Sequence, residues 1–483
     1  MSVSESQIRS IVEEVLGKIG TNGSQSTPRL SPPSINVRLG SRSGVFNDVD
    51  QAAQSASNAF LELKGKGYEG RAKAIEVIKA ICTEKADEWG KVEFEETKIG
   101  RLDHKIAKLV GIKNIPGVEW MSPTGMSGDH GIAMEENAPW GVVGVITPVT
   151  HSIPTVACNA INMIAAGNSL LINPHPGGAK CAAIAVDYFN KAIEREIGIA
   201  SLLNIIESPT LDTFDAICAH ELVNILCVTG GPGVVDAAMK SGKRSICAGP
   251  GNPPVVVDDS ADLDRAARDI IIGAGFDNNL LCIGEKQVFV VDSVYSQFIN
   301  AFKKAGAGLI NNQQLAALTK EAFTFSGDGG GCSHPVINRS LVGANPSDLA
   351  RVAGANVASN VDIIFAETRA DDLFVIEEQM MPMIPVVRVK DIFEGIAQAK
   401  ESEHGYKHSA MIHTMNVRHM SIMARELDTT IFVKNGPCLA GLGIGGEGYP
   451  SFSIATTTGE GISTPKTFTR TRRCVLVDDL NLF

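Results

Sequence analysis

Between residues 141 and 257 short apolar runs alternate with longer stretches of helical periodicity, and no other feature limits the possible folds of this chain so strongly. The apolar runs are 141–147, 169–173, 203–206, 224–229 and 255–258, separated by helical patterns at 153–166, 177–195 and 233–240. Runs that stay apolar on both sides bury both faces, and strands spaced by helices pair in parallel. The segment therefore predicts a doubly wound α/β sheet. A second α/β segment at 258–450 predicts strands near 287–291, 362–365, 385–389, 409–413 and 430–433, and 472–477 reads as one more strand. Ala-rich amphipathic stretches from Asp48 to Leu109 predict helices ahead of the first sheet.

With 483 residues the chain has room for roughly three domain-sized units and a large core. A formal net charge of −11 argues against non-specific nucleic-acid binding, which needs clustered Lys and Arg. The ten cysteines (82, 158, 181, 218, 227, 247, 282, 332, 438 and 474) include no CxxC pair, so a zinc-finger spacing is absent and reduced, cytosolic thiols are expected. No apolar run is long enough for a membrane-spanning helix. Glu5, Glu13 and Glu14 occupy the N-terminus in place of a basic n-region, so no secretory signal is expected. Residues 5–19 instead predict an amphipathic helix, with Ile8, Ile11, Val12, Val15, Leu16 and Ile19 on one face. Behind it 20–33 is rich in Gly, Ser, Thr and Pro, a linker by composition. A tethered helix has no core of its own, so it needs a partner.

The chemistry centres on Cys282. It lies between the small-residue approach Gly273-Ala274-Gly275-Phe276 and the apolar run 287–291, where a loop meets a strand and a substrate can reach the thiol. Cys247, in Cys247-Ala248-Gly249-Pro250-Gly251, is a second candidate thiol, although most cysteines are small buried hydrophobes. Thr229-Gly230-Gly231-Pro232-Gly233 follows a strand and opens a helix, where free N–H groups suit a phosphate. Gly441-Leu442-Gly443-Ile444-Gly445-Gly446 matches the dinucleotide fingerprint on paper, but Tyr449-Pro450 follows and no helix can start there. His151 stands just after a strand, a common place for ligand contacts and equally for a structural histidine. His404, His408, His413 and His419 lack a metal-binding register, and no metal site is expected.

Six segments, in order, carry a resemblance: 139–148, 165–168, 228–232, 249–254, 278–282 and 377–382. Over about 45–480 the chain resembles an aldehyde dehydrogenase, and specifically the CoA-acylating propionaldehyde and acetaldehyde dehydrogenases of bacterial microcompartments. The resemblance implies a Rossmann-like cofactor domain (45–125 with 139–246), an α/β catalytic domain (247–463) and a small β oligomerisation arm (126–138 with 464–483), reached through a linker over 20–44. It makes Cys282 the nucleophile. It places NAD against Ile146, Thr147, Pro148, Asn173, Pro174, Gly230, Gly231, Gly249 and Glu378, with coenzyme A as co-substrate. It also gives residues 5–19 the look of an encapsulation peptide that docks on shell proteins, and it implies a homodimer or homotetramer.

Departures from the hydrolytic members set the expected product. Their water-activating glutamate is replaced by Cys247, a poor base, so a Cys282 thioester should survive until the CoA thiol arrives. Their oxyanion asparagine is replaced by Thr150, and their ribose-contacting lysine by Asn173, while Glu378 keeps the other ribose position. Three alternatives stay open on sequence alone. One is a hydrolytic dehydrogenase in which Cys247 or a bound water replaces the base. The others are an inert shell-organising scaffold and a semialdehyde or phosphorylated-aldehyde reductase.

Overall fold

A computed structural model describes residues 42–326 and 334–480, so the expected helix at 5–19, nearly all of the linker and Cys332 lie outside the described residues. The chain joins the fold at Ser43, whose N–H donates to Asp187 and whose hydroxyl donates to the Ala200 carbonyl. A long helix, Val49–Glu84, follows; the Asp48 carboxylate caps it by accepting from Gln51 N, and Gly67 breaks its helical geometry at φ 63°.

Two parallel sheets carry the architecture. The first has six strands in the order Val45–Phe46, Leu203–Ile206, Ser169–Pro174, Val142–Thr147, Val223–Thr229, Arg244–Ala248. Four of its strands are buried along nearly their whole length, because helices cover both faces. From Val142–Thr147 the chain winds outward to Ser169–Pro174 and Leu203–Ile206, then returns to the other side at Val223–Thr229. The reversal opens a crevice beyond the carboxyl ends of Val142–Thr147 and Val223–Thr229, where doubly wound sheets bind ligands.

The second sheet has seven strands in the order Gly308–Leu309, Ile364–Thr368, Met383–Val389, Gln287–Val291, Pro254–Val257, Ser409–His413, Ile431–Lys434. Its centre, Pro254–Val257 beside Gln287–Val291, is fully buried, and each Val, Ile or Phe placed there contributes about 1.5–3 kcal/mol of transfer free energy. A third, antiparallel sheet joins Thr124–Gly128, Gly131–Pro139 and Thr469–Val477. The short strands Val45–Phe46 and Arg244–Ala248 were not expected. The first has only two residues, and the second opens with an exposed Arg244 and carries only three buried positions. The helix expected after Thr229-Gly230-Gly231 runs Pro232–Lys240, with proline in its first turn.

Candidate active site

Cys282 lies in a turn between the helix Leu263–Gly275 and the strand Gln287–Val291. Three consecutive residues before it, Asp277, Asn278 and Asn279, take left-handed conformations at φ 51°, 54° and 65°. For non-glycine residues this costs on the order of 1–2 kcal/mol each, and Asp and Asn are the types that tolerate it best. All three are buried, and their side chains hold the turn. Asn278 Nδ2 donates to Gly343 O (2.9 Å) and Asn345 Oδ1 (3.1 Å). Asn279 Nδ2 donates to Ala274 O (3.0 Å) and Glu285 O (2.9 Å), clamping the residues on either side of the cysteine. Gly284 N donates to Leu281 O, closing the chain over Cys282.

A buried charge network sets this turn from below. Lys108 Nζ donates to Asp277 Oδ2 (2.5 Å), to Thr150 O (3.2 Å) and to His151 Nδ1 (2.9 Å). Lys105 pairs with Glu93 at 3.1 Å, and Glu93 accepts from Ile153 N in the first turn of the helix Ser152–Ala165. One connected set of charges therefore fixes both the nucleophile turn and the Thr150–His151 loop facing it. Burial and the neighbouring Lys108 drive the His151 pKa well below its usual range, so the ring is neutral and accepts from the ammonium at Nδ1. Asp277 is pushed up by burial, but Lys108 and Lys105 outweigh this and hold it below the usual carboxylate range.

Cys282 itself is part-buried. Burial, with the nearby Glu378 charge adding to it, pushes its thiol up to about 12, and Lys286 opposes that shift. A Cβ built on Gly251 would fall 2.8 Å from Cys282 O and 2.8 Å from the His408 ring, so only glycine lets these three groups meet. His408 is fully buried, its Nδ1 bonded to Ser409 Oγ at 2.8 Å and its Nε2 without a partner among the described residues. Glu378, half-buried with the Gly251 N–H facing its carboxyl, is raised to about 7 by burial against the pull of Lys286. A cavity of about 260 Å³ lined by Pro250, Gly405, Tyr406, Lys407, Thr456 and Thr457 opens beside this turn.

Ile146 and Thr147 end a central strand, and the buried Thr147 hydroxyl has no partner among the described residues. A Cβ on Gly231 or Gly233 would meet nothing, and one on Gly230 would meet only Val234, which leaves open approach at the start of the helix Pro232–Lys240. Pro174 ends the neighbouring strand. Asn173 is the exception: its Oδ1 accepts from Thr213 Oγ1 (2.7 Å) and its Nδ2 reaches Thr210 O (3.5 Å), so it ties down the helix Leu211–Ala219. The Thr150 hydroxyl has no protein partner among the described residues and is available to a ligand.

Cys247 is not in the site. Its side chain is fully buried in a cluster with Val228, Val235 and Ala238, and burial raises its thiol to about 11. As a replacement base it fails on both position and acidity. The glycine-rich stretch 441–446 starts no α-helix; its first two residues end a short 3₁₀ turn, Cys438–Leu442. Sequence reasoning missed Lys286, Glu285, His408, Lys108 and Asp277. Only Glu285 and Lys286 left a trace, as two charges directly against the fully buried run Gln287–Val291.

Comparison with known proteins fits this geometry. Residues 23–320 match the Aldehyde dehydrogenase family. The acetylating acetaldehyde dehydrogenase EutE of Salmonella typhimurium is 42% identical over 440 residues, covering 90% of this chain and 92% of the relative. This chain belongs to the aldehyde dehydrogenase family. Among solved family members, a propionaldehyde dehydrogenase from the Clostridium phytofermentans fucose utilisation bacterial microcompartment superposes with TM-score 0.88 at 39% identity, covering 91% of this chain and all of the other. A Rhodopseudomonas palustris propionaldehyde dehydrogenase with bound propionyl-CoA superposes with TM-score 0.87 at 38% identity, covering 91% and 96% of the two chains.

Proposed function

We propose that this protein catalyses the NAD-dependent, CoA-acylating oxidation of a short aliphatic aldehyde such as propionaldehyde, through a thioester on Cys282. One observation carries the reading: the nucleophile turn is built around Cys282 while the position of the hydrolytic base is a thiol sunk in the core. The relatives that act on acetaldehyde and propionaldehyde, one of them holding propionyl-CoA, support the substrate class.

The open glycines at 230 and 231, the orphan Thr147 hydroxyl and the Glu378 carboxyl suit a dinucleotide, with Ile146, Pro148, Pro174 and Gly249 completing its cleft. Asn173 holds Thr213 instead of a ribose. When bound, NAD supplies a hydride acceptor. The protein's own residues do the rest. Cys282 adds to the aldehyde carbonyl, and its backbone N–H with the Thr150 hydroxyl holds the developing oxyanion. Loss of hydride leaves a Cys282 thioester, which persists because nothing at position 247 activates water. The thioester then gives up its acyl group to the thiol of CoA.

Steady-state assays with propanal decide the matter. Wild type sustains NADH and propionyl-CoA formation only when CoA is present, with at most one NADH per site without it, and Cys282→Ala forms neither. Sustained free acid without CoA overturns the reading in favour of hydrolysis.

The same reading places the protein in a bacterial microcompartment in the cytoplasm, with residues 5–19 as the shell-docking helix on the 20–44 tether. Deleting residues 1–20 then leaves kcat/KM unchanged and abolishes recruitment to shells. The cofactor and catalytic domains correspond to the two parallel sheets. The arm is the three-stranded sheet, whose last strand exposes Val475, Leu476 and Val477 for a homodimer or homotetramer. Light scattering distinguishes these from a monomer.

A further inference from the structure

Lys286 is completely buried four residues after the nucleophile. Its Nζ donates to Asn279 O (2.8 Å), Asn279 Oδ1 (2.6 Å) and Leu281 O (3.2 Å). Three acceptors require three N–H groups, so the amine is an ammonium although burial lowers its pKa. Glu378, Cys282, Cys438 and Glu285 act on it through their charge, and none bonds to it among the described residues. A buried cation held only by neutral oxygens is costly. One of those oxygens belongs to the peptide that carries the nucleophile's own N–H.

Leu281 O is the oxygen of the Leu281–Cys282 peptide, and it accepts from both Lys286 Nζ and Gly284 N (3.0 Å). No peptide among the described residues is cis, so the Cys282 N–H points the opposite way, away from the ammonium. It faces the Cys282 sulfur, as the Ile283 N–H does, and no carbonyl or other side chain among the described residues accepts from it. A cation bonded to the oxygen end of a peptide draws electron density from its nitrogen and makes the N–H a stronger donor. We propose that Lys286 is a positioning residue for the oxyanion: its charge, carried through the Leu281–Cys282 peptide, strengthens the Cys282 N–H where the substrate oxygen turns negative. The inference rests on the CoA-acylating reading. With the thiol proton gone to solvent, the Cys282 sulfur bonds to the aldehyde carbon, and the C=O π pair moves to the oxygen that accepts from this N–H. The pair returns to the carbonyl as hydride leaves for NAD. The CoA sulfur, its own proton lost to solvent, then bonds to the acyl carbon and a second oxyanion forms on the same donor. As it collapses, the C–S bond to Cys282 breaks and the departing thiolate takes a proton from solvent.

The other two contacts of the ammonium stay inside the turn. Asn279 O belongs to the peptide that ends in the Leu280 N–H, which already donates to Asp277 O at 3.3 Å. Asn279 Oδ1 shares its amide with the Nδ2 that clamps Ala274 O and Glu285 O, so the ammonium tightens that clamp as well. Only the Leu281–Cys282 peptide carries the charge toward the reacting atoms. Lys286 therefore has two separable effects, one on where the thiol sits and one on the oxyanion.

The test sets two reagents on the same thiol and needs no NAD. Iodoacetamide alkylates Cys282 with loss of iodide and forms no oxyanion. p-Nitrophenyl propionate acylates it through a tetrahedral oxyanion and releases p-nitrophenolate. Lys286→Gln keeps N–H donors for the turn and removes the charge. It lowers the acylation rate about tenfold to a hundredfold more than the alkylation rate, less than the loss of a whole oxyanion donor, and slows CoA-dependent deacylation by a similar factor. A shift in thiol position or acidity moves both reagents together, so an equal fall in the two rates overturns the proposal. So does an unchanged acylation rate. The infrared carbonyl band of a carbon-13-labelled propionyl thioester on Cys282 is a second readout. In wild type it lies below that of propionyl-CoA in water, and Lys286→Gln moves it up. Should Lys286→Gln not fold, the wild-type band decides alone, and a band at the solution position overturns the proposal. If CoA fails to discharge acylated wild type while the two rates diverge as stated, the acylating reading falls and the role of Lys286 stands.

Discussion

Lys108 and Asp277 form a 2.5 Å ion pair with both side chains withdrawn from solvent, joining the helix Leu102–Gly111 to the left-handed turn that presents Cys282. Coulomb attraction at this depth is offset by desolvation, so the pair's value lies in what its breaking exposes. Asp277→Ala strands the Lys108 ammonium beside the neutral His151. It should cost about 3–5 kcal/mol by urea unfolding, with loss of Cys282 alkylation because the turn is unpinned. Adding Lys108→Met to Asp277→Asn, which keeps a residue suited to the left-handed conformation and an acceptor for Arg101 N, should recover most of the stability and none of the activity. A single Asp277→Ala that unfolds like wild type makes the network ornamental.

Cys247 bears on the product. Because its thiol packs with Val228 and Val235 rather than facing the site, Cys247→Ala should keep CoA-dependent turnover within about twofold and lose only about 1 kcal/mol, at the lower end for core truncations. Cys247→Glu should not restore hydrolysis. Its carboxylate enters an apolar cluster, and the expected result is several kcal/mol of destabilisation with no free acid from propanal lacking CoA. Free acid from Cys247→Glu would mean the side chain can swing into the cleft.

The alternation of apolar runs and helices exposed both parallel sheets to a reader of the sequence, because strands buried on two faces advertise themselves as Leu170-Leu171-Ile172 or Val255-Val256-Val257 do. Cys282 was visible from its place between a glycine-rich approach and such a run. Lys286, Glu285, Asp277 and Lys108 were not. Charged residues belong on surfaces by default, and nothing in local periodicity announces that Lys108 reaches from a distant helix to Asp277, or that Glu285 and Lys286 turn inward just after the same cysteine. Cys247 stays open on sequence alone, a second candidate thiol beside the commoner buried reading, because which face of the strand it takes is invisible without the register; the structure puts it in the core.

Glu285 makes stability depend on pH. Burial raises its carboxyl from the usual 4.5 to about 7, and its Oε2 has no partner among the described residues. Between these values the native state holds a proton that the unfolded chain has lost, so stability is highest below about pH 4.5 for this group and falls as pH rises toward 7. Over that window the loss is on the order of 3 kcal/mol. Glu285→Gln removes this decline. Urea midpoints should converge for the two proteins near pH 5 and separate in favour of the glutamine variant at pH 8. Parallel curves for both proteins would show that Glu285 is not protonated in the native state.

Two glycines should separate catalysis from cofactor binding. A Cβ at Gly251 meets the Cys282 carbonyl and the His408 ring, both at 2.8 Å, and neither is the end of a flexible chain. The nucleophile must shift, and a displacement near 1 Å costs about 10²-fold in rate. Gly251→Ala should therefore lower kcat about a hundredfold, with little change in the KM for NAD. At Gly231, φ is −67° and a Cβ meets nothing, so Gly231→Ala folds without strain and leaves the Tm unchanged. The added methyl intrudes only on a ligand lying against the start of the helix Pro232–Lys240. Its expected signature is a raised KM for NAD with alkylation of Cys282 untouched. Equal effects of the two substitutions on NAD affinity would place the dinucleotide elsewhere than the strand-end crevice.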